Sequence, residues 1–464
     1  MIRRLIGKIF KRPAGEISAL RRHATRYRGS DLGIHRTELS AAAQRTCETL
    51  KKGGYHAWIV GGGVRDLLLG LRPKDFDIAT DATPQQVNKL FRRSRLIGRR
   101  FQIVHVMYGR EVIEVSTYRA LTTDSQTDDQ GRVLHDNEWG TQEEDAARRD
   151  FTINALYYDP IGDAILDYHD GVRDLKARVL RMIGDPAARY REDPVRMLRV
   201  ARFAAKLGCT IEPRTRAPIA ELATLLRGVP PSRLFDEMVK LLLCGRALDA
   251  LHELRSEGLH HGLLPLLDVI LEQPAGERFV TAALAATDAR VADGRPISPG
   301  FLFATLLWQQ VLVRWQQRVA AGEHSIPALM MAIDTALDEQ ADQLAIQKRI
   351  VSDMREIWAM QPRLERRVGQ APYRLLEHQR FRAAYDFLLL RSEVGEIEPE
   401  LGKWWTDFIA ADGEGRAELM AQAPKARSGG KSKARPSRRR RRGARAGDGG
   451  DAGDAGGNAP PASA

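Results

Sequence analysis

The stretch from Trp58 to Thr80, WIVGGGVRDLLLGLRPKDFDIAT, constrains the chain more than any other. It reads as a strand over 57–60, a glycine turn at Gly61, Gly62 and Gly63, a short helix over 64–69, and a second strand carrying Asp75 and Asp77. Side chains alternate faces along a strand. Asp75 and Asp77 therefore share one side, with Phe76 and Ile78 on the other. Two carboxylates held together repel each other, and a divalent cation relieves that repulsion. Magnesium takes oxygen ligands, typically one or two carboxylates plus substrate phosphates. The glycines let backbone N–H groups approach a phosphate with no Cβ in the way, at the entrance to a helix. Arg65 adds positive charge in that helix. A DxD pair alone is common in solvated strands and turns; the glycine turn, the helix and the DxD at this spacing are far more specific.

This spacing resembles the signature of the class II nucleotidyltransferases, which comprise the bacterial poly(A) polymerases and the CCA-adding enzymes. The resemblance implies an α+β fold: a nucleotidyltransferase-type mixed α/β head, then an all-helical neck and body. Two strands are expected over 103–108 and 111–117, joined by a Gly109-Arg110 turn. Glu114 lies between Val112, Ile113 and Val115. A carboxylate there is costly to bury unless paired or metal-bound; an edge strand facing water is the plain alternative. The resembled family carries a further acidic residue at this position.

RRDFTINA, residues 148–155, resembles the second family motif, which meets the ribose of the incoming nucleotide. Arg148 and Arg149 can pair with phosphate or carboxylate. Asp150 and Asn154 are four apart, which places them on one helical face. Asp150 and Glu114 compete as the third catalytic carboxylate, and both stay open. Downstream, residues 189–208 read as one helix with Pro194 in its first turn. Arg196, Arg199 and Arg202 recur along one side of it. In the resembled family, the Asp-x-x-Arg held here by Asp193 and Arg196 reads the nucleobase; an intrahelical ion pair is the alternative. Arg199 and Arg202 are candidates for RNA contact. At the joint before this helix, relatives often show a double glycine; this chain has Asp170-Gly171, which keeps a hinge possible.

Charge is distributed unevenly. The formal net charge is +12, with +8 in residues 1–36 and +8 in residues 425–464, leaving the middle at −4. Basic ends suit a polyanion, either nucleic acid or an anionic membrane surface. Arg438, Arg439, Arg440, Arg441 and Arg442 form the densest run and suit RNA phosphates, with affinity that falls with salt. The opening MIRRLIGKIFKR is amphipathic and basic, unlike a signal peptide; a frayed end that packs on the protein or grazes RNA is the favoured reading, and weak membrane-surface contact is the alternative. No apolar run of transmembrane length occurs. The 3 cysteines lack metal-ligand spacing and suit a reducing cytoplasm.

The expected organisation is a basic, mostly disordered extension over 1–36, the catalytic head over 37–169, a neck over 170–265, a body over 266–410 and a disordered Arg-rich tail over 411–464. Residues 120–142 read as a polar, mobile loop. Arg380, Phe381, Arg382 and Tyr385 suit RNA stacking or helix core equally.

The resemblance implies transfer of a nucleotidyl group to an RNA 3′-OH, with two Mg2+ ions held by Asp75 and Asp77 and phosphates held by Gly61, Gly62 and Arg65. Segments 96–109 and 377–393 look like the poly(A) branch, which uses ATP. His260-His261 lacks the following Asp of an HD metal motif. RNA 3′ ends and RNA-degradation machinery are the partners expected. The alternatives are a CCA-adding enzyme and a non-catalytic RNA-binding protein; the latter would have lost the carboxylates.

Overall fold

The computed structural model describes residues 24–98, 102–121, 138–260, 274–341 and 346–423. The N-terminal basic helix, most of the 120–142 loop and the arginine run at 438–442 lie outside the described residues.

Among the described residues the head is built on an eight-stranded sheet. Its strands are β1 (Thr25–Arg28), β2 (Trp58–Val60), β3 (Asp77–Thr80), β4 (Ser94–Ile97), β5 (Ile103–Tyr108), β6 (Glu111–Thr117), β7 (Leu156–Asp159) and β8 (Ala164–Asp167). Their order is β1-β8-β7-β2-β3-β6-β5-β4. Only β3 and β6 pair in parallel within it; the other neighbours are antiparallel.

Helices α1 (Ala41–Lys52) and α3 (Pro84–Leu90) cover one face. Both start as their sequences dictate. Ser40 accepts from the N–H of Ala43, and Thr83 forms a reciprocal capping box with Gln86 ahead of a first-turn proline. The main head core lies under them, with Ile59, Ile78, Val104, Val106, Ile113 and Val115 buried. On the opposite face, α4 (Gln142–Arg148) covers only the β7-β2-β3 half, where Val60, Ala79, Ala146 and Tyr157 form a smaller cluster. The β6-β5-β4 half of that face is left uncovered by α4.

Two expectations about the head are corrected. Asp75 precedes β3, which opens at Asp77, although the alternation of exposed Asp75 and Asp77 with buried Phe76 and Ile78 holds. Residues 25–28, placed in a disordered extension by composition, form edge strand β1 on β8, and Ser30 then hydrogen-bonds Asp163 (Ser30 Oγ to Oδ2, 2.7 Å). TRYR has no apolar alternation; its strand state comes from pairing, not from local pattern. The same holds for β4, SRLI, which the sequence pattern does not single out.

The joint at Asp170-Gly171 is a clamp. Gly171 starts α5 (Gly171–Lys176), its N–H donates to Asp167 Oδ1 at 2.9 Å, and a Cβ there would overlap the Thr152 carbonyl. The close approach, not hinge freedom, requires glycine. Gly171→Ala is expected to lower stability by about 2 kcal/mol or more, read from the denaturant midpoint; an unchanged midpoint would mean that the joint yields freely.

The long helix expected over 189–208 is two helices, α6 (Pro186–Glu192) and α7 (Val195–Leu207). Asp193 stands between them in extended conformation, because the residue before proline is excluded from the α region. Beyond it the described residues are helical nearly throughout. One core gathers side chains between Phe151 and Leu390, from elements on both sides of residues 261–273. A second core gathers Leu364, Phe381, Tyr385, Trp404, Trp405 and Phe408. Phe381 and Tyr385 are thus core, and Arg380 is spent on Asp353. The expected tail begins with a further helix, Gly413–Gln422, capped by Asp412 and tied back by Trp404 Nε1 donating to the Leu419 carbonyl at 3.2 Å. No helix among the described residues is long and apolar enough to cross a membrane.

Candidate active site

The parallel register of β3 and β6 sets Asp77 directly opposite Glu114. Residues opposed in register share a face, so both carboxylates rise from the open face, with Asp75 just ahead of the strand. Asp77 reaches solvent along the strand, yet the cleft around it is crowded. Burial, then the negative charges of Glu114 and Asp75, push its carboxyl up to about 6 from the ordinary 3.8, against the pull of Arg149. Among the described residues no three metal-binding side chains converge into a ready-made cage. What fits a divalent cation is the charge: oxygen donors crowded enough to resist ionisation. Magnesium needs only one or two carboxylates when substrate phosphates complete its shell.

Gly61 takes φ +67°, a left-handed conformation that favours glycine, and hands the chain to α2 (Gly62–Leu68). A Cβ on Gly61 would stand 3.4 Å from Arg149 Nη1, so that guanidinium lies against the glycine turn. Arg149 is itself held. Its Nε donates to Tyr157 Oη at 3.1 Å and its Nη2 to Asp145 Oδ2 at 3.1 Å. These partners raise its pKa against the effect of burial. Arg148 Nη1 donates to the Ala120 carbonyl at 3.1 Å.

Arg65 lies beneath the glycine turn, its Nη2 3.4 Å from where a Cβ on Gly62 would stand. It is 3% exposed, and its Nη1 donates to Asn154 Oδ1 at 2.7 Å while Nε and Nη2 hold Asp66. Its guanidinium lies 5.1 Å from the Phe203 ring centre. It therefore braces the glycine turn against α7 from inside.

Asp150 and Asn154 do meet, but not on a helix. Phe151 makes a β-bridge to Met182, Thr152–Asn154 form a 3-10 turn, and Asn154 Nδ2 donates to Asp150 Oδ1 at 3.0 Å. The other Asp150 oxygen takes both Nε and Nη2 of Arg199, at 2.9 and 2.5 Å. Burial pushes this carboxyl up, but Arg199, Asn154 and the Phe151 N–H outweigh it and hold it below its ordinary value. Asp150 is not among the groups that shift Asp77. Of the two open candidates, Glu114 stands with the DxD and Asp150 is committed to the neck.

The neck groups sort likewise. Arg196 Nη1 donates to Glu192 Oε2 at 2.8 Å and the Arg189 carbonyl at 2.7 Å, and Asp193 pairs with Arg233 at 3.0 Å. The intrahelical Asp193–Arg196 pair is not formed, since the Pro194 break turns Asp193 away. Arg202 packs 4.5 Å from the Phe203 ring centre and meets Glu237 at 3.4 Å, so Arg199 and Arg202 are structural ties here. Sequence reasoning passed over Arg189, Arg233 and Glu237. Arg189 Nη2 holds the Arg148 and Arg149 carbonyls at 2.5 and 2.9 Å, joining neck to head. A glutamate on the apolar side of an amphipathic helix was the available signal for Glu237, which is buried in Pro231–Leu242.

A sheet with paired carboxylates beside a glycine turn, tied to a helical neck, defines a nucleotidyltransferase of the class II type. Three family models match in chain order: the poly A polymerase head domain over 57–181, the probable RNA and SrmB-binding site of polymerase A over 208–271, and the polymerase A arginine-rich C-terminus over 321–445. Poly(A) polymerase I of Haemophilus influenzae is 43% identical over 426 residues, covering 89% of this chain and 94% of that protein. Poly(A) polymerase I of Escherichia coli O6:H1 is 45% identical over 412 residues, covering 85% and 88%. The chain belongs to the bacterial poly(A) polymerase family. In fold it is similar to the Bacillus stearothermophilus CCA-adding enzyme solved in complex with CTP, with TM-score 0.54 and 25% identity over 82% of this chain and 88% of that one.

Proposed function

We propose that the chain adds AMP from ATP to the 3′-OH of RNA without a template, releasing pyrophosphate. The observation that carries this is the register that sets Glu114 opposite Asp77 beside the glycine turn. The 43–45% identity to poly(A) polymerases over 85–89% of the chain, against 37–41% to CCA-adding enzymes over only 43–48% of it, favours the poly(A) branch.

In this reading Asp75, Asp77 and Glu114 hold magnesium, taken as two ions. Bound there, it neutralises the triphosphate and lowers the pKa of the attacking hydroxyl. The turn at Gly61 and Gly62 offers backbone N–H groups to phosphate, with Arg149 charged beside it. Asp150, Asn154 and Arg65 fix that turn against the neck. Asp193 and Arg196 meet the base, with Arg196 Nε and Nη2 left uncommitted. The new bond joins the RNA 3′ oxygen to the α-phosphorus, and the bond to pyrophosphate breaks. We place the reaction in the cytoplasm, on RNA 3′ ends, with RNA-degradation machinery as a natural neighbour.

The test is extension with one NTP at a time and magnesium, on an unstructured RNA and on a tRNA lacking its last three nucleotides. Long ladders with ATP alone on the unstructured RNA are expected. Addition of two C and one A confined to the tRNA would instead make this a CCA-adding enzyme.

A further inference from the structure

A single row of in-register residues crosses the sheet: Tyr157 on β7, Val60 on β2, Asp77 on β3, Glu114 on β6, His105 on β5 and Arg95 on β4. All share one face. The apolar end, Tyr157 and Val60, lies under α4 with the glycine turn and Arg149 nearby. The polar end leaves the carboxylates and runs over the uncovered half to the sheet edge. In phosphoryl transfer the attacking and leaving oxygens lie in line. If the triphosphate occupies the glycine-turn side of Asp77, the attacking hydroxyl comes from the other side, where His105 and Arg95 stand.

We propose that the open face of the β5-β4 hairpin is the track for the RNA primer. His105 contacts the terminal nucleotide and Arg95 holds a phosphate upstream of it. Strands lie about 4.8 Å apart, so Arg95 stands roughly 14 Å along the row from Asp77. That leaves room for the terminal nucleotide and the phosphates just before it.

Two features point to a ligand. His105 Nε2 lies 3.3 Å from Glu114 Oε1 without hydrogen-bond alignment, and it is a buried atom with no hydrogen-bond partner. Arg95 is exposed, and among the described residues no group pairs with its side chain, whereas Arg149, Arg189, Arg196, Arg199 and Arg202 all hold acidic or carbonyl partners. Val112, 41% exposed, and Ile97, 39% exposed, lie two residues along from Glu114 and Arg95 on the same face and give sugars an apolar flank. A charge on an edge strand also deters edge pairing, but that does not account for a histidine set beside Glu114 with no aligned hydrogen bond.

This inference rests on the poly(A) reading, and the experiment separates the two. The full chain and its Arg95→Gln, Arg95→Lys and His105→Ala variants are assayed with an oligo(A) primer, measuring KM for primer, KM for ATP and salt dependence. Arg95→Gln is expected to raise the primer KM about tenfold and make the log–log salt slope shallower by about 0.7, as for one lost single-strand phosphate contact. Arg95→Lys restores the slope. His105→Ala raises the primer KM and leaves the ATP KM unchanged. Unchanged primer KM in both Arg95→Gln and His105→Ala overturns the proposal and leaves Arg95 as edge protection. A raised ATP KM overturns it by assigning the hairpin to the nucleotide. Failure of the unaltered chain to extend RNA with ATP is the failure of the poly(A) reading instead.

Discussion

Asp77→Asn abolishes nucleotide addition, by about a thousandfold or more, while RNA still binds. The loss corresponds to on the order of 4 kcal/mol of transition-state stabilisation, what a mispositioned or lost cation costs. The same substitution stabilises the cation-free protein. Asp77 has its carboxyl raised to about 6 by burial and by Glu114 and Asp75. The folded state therefore binds this proton more tightly than the unfolded chain. That contribution is fully present below about pH 4 and is lost as pH rises through about 6. At pH 7 to 8 the asparagine variant avoids the loss and melts higher than the unaltered chain without divalent cation. Adding magnesium raises the melting temperature of the unaltered chain above pH 6 and moves the variant less, because a ligand stabilises only the state that binds it. Extension falls in acid at a pH below about 6, because a bound cation favours the ionised carboxylate and the proton has to compete with it. Thermal unfolding with and without magnesium across pH, beside a primer-extension assay, reads all of this. A variant that extends RNA normally would remove Asp77 from the chemistry.

The parts of this site legible in the sequence are those set by local geometry. Alternation put Asp75 and Asp77 on one side although Asp75 lies outside the strand, because extended backbone alternates with or without a ladder partner. Thr83-Pro84 and the Ile103–Tyr108 and Glu111–Thr117 strands came through for the same reason: caps, turns and period-two runs are local signals. Glu114 came in as a candidate through the family resemblance alone, and its setting directly opposite Asp77 was not legible in the sequence pattern. It depends on two strands 37 residues apart pairing in parallel, and only the sheet order supplies that. The arginines differ in one consistent way from what their sequence positions suggest. Arg65, Arg199 and Arg202 look from sequence like free cations near a polyanion, yet buried carboxylates, an amide and the Phe203 ring take them up. Pro194 suits the first turn of a single helix, yet its restriction on Asp193 prevails and separates α6 from α7.

Asp150→Ala is the second large effect, and its character differs from the first. The change takes from Arg199 the oxygen that holds both its Nε and Nη2, and takes from Asn154 its acceptor. Breaking a buried pair by removing one partner costs about 3–5 kcal/mol. Arg199 retains some exposure and a 3.7 Å contact with Glu237, so the lower end, about 3 kcal/mol, is expected. Asp150 is held below its ordinary value, so its stabilisation is present above the unfolded carboxylate range and is lost as pH falls through the depressed native value. The gap in stability between the unaltered chain and Asp150→Ala therefore closes in acid. Activity falls by about tenfold to a hundredfold, the scale of a misplaced site rather than a missing one. The loss shows as a raised KM for ATP and weaker discrimination against CTP, since the tie between head and neck is cut and the proposed base contacts of Asp193 and Arg196 depend on that tie. A double-mutant cycle with Arg199→Ala gives a coupling of about 1–3 kcal/mol if the two act as one unit. The opposite outcome is equally definite. If Asp150→Ala loses activity as deeply as Asp77→Asn with stability and ATP KM intact, then Asp150 and not Glu114 is the third catalytic carboxylate. Arg199 would then have to release it on substrate binding.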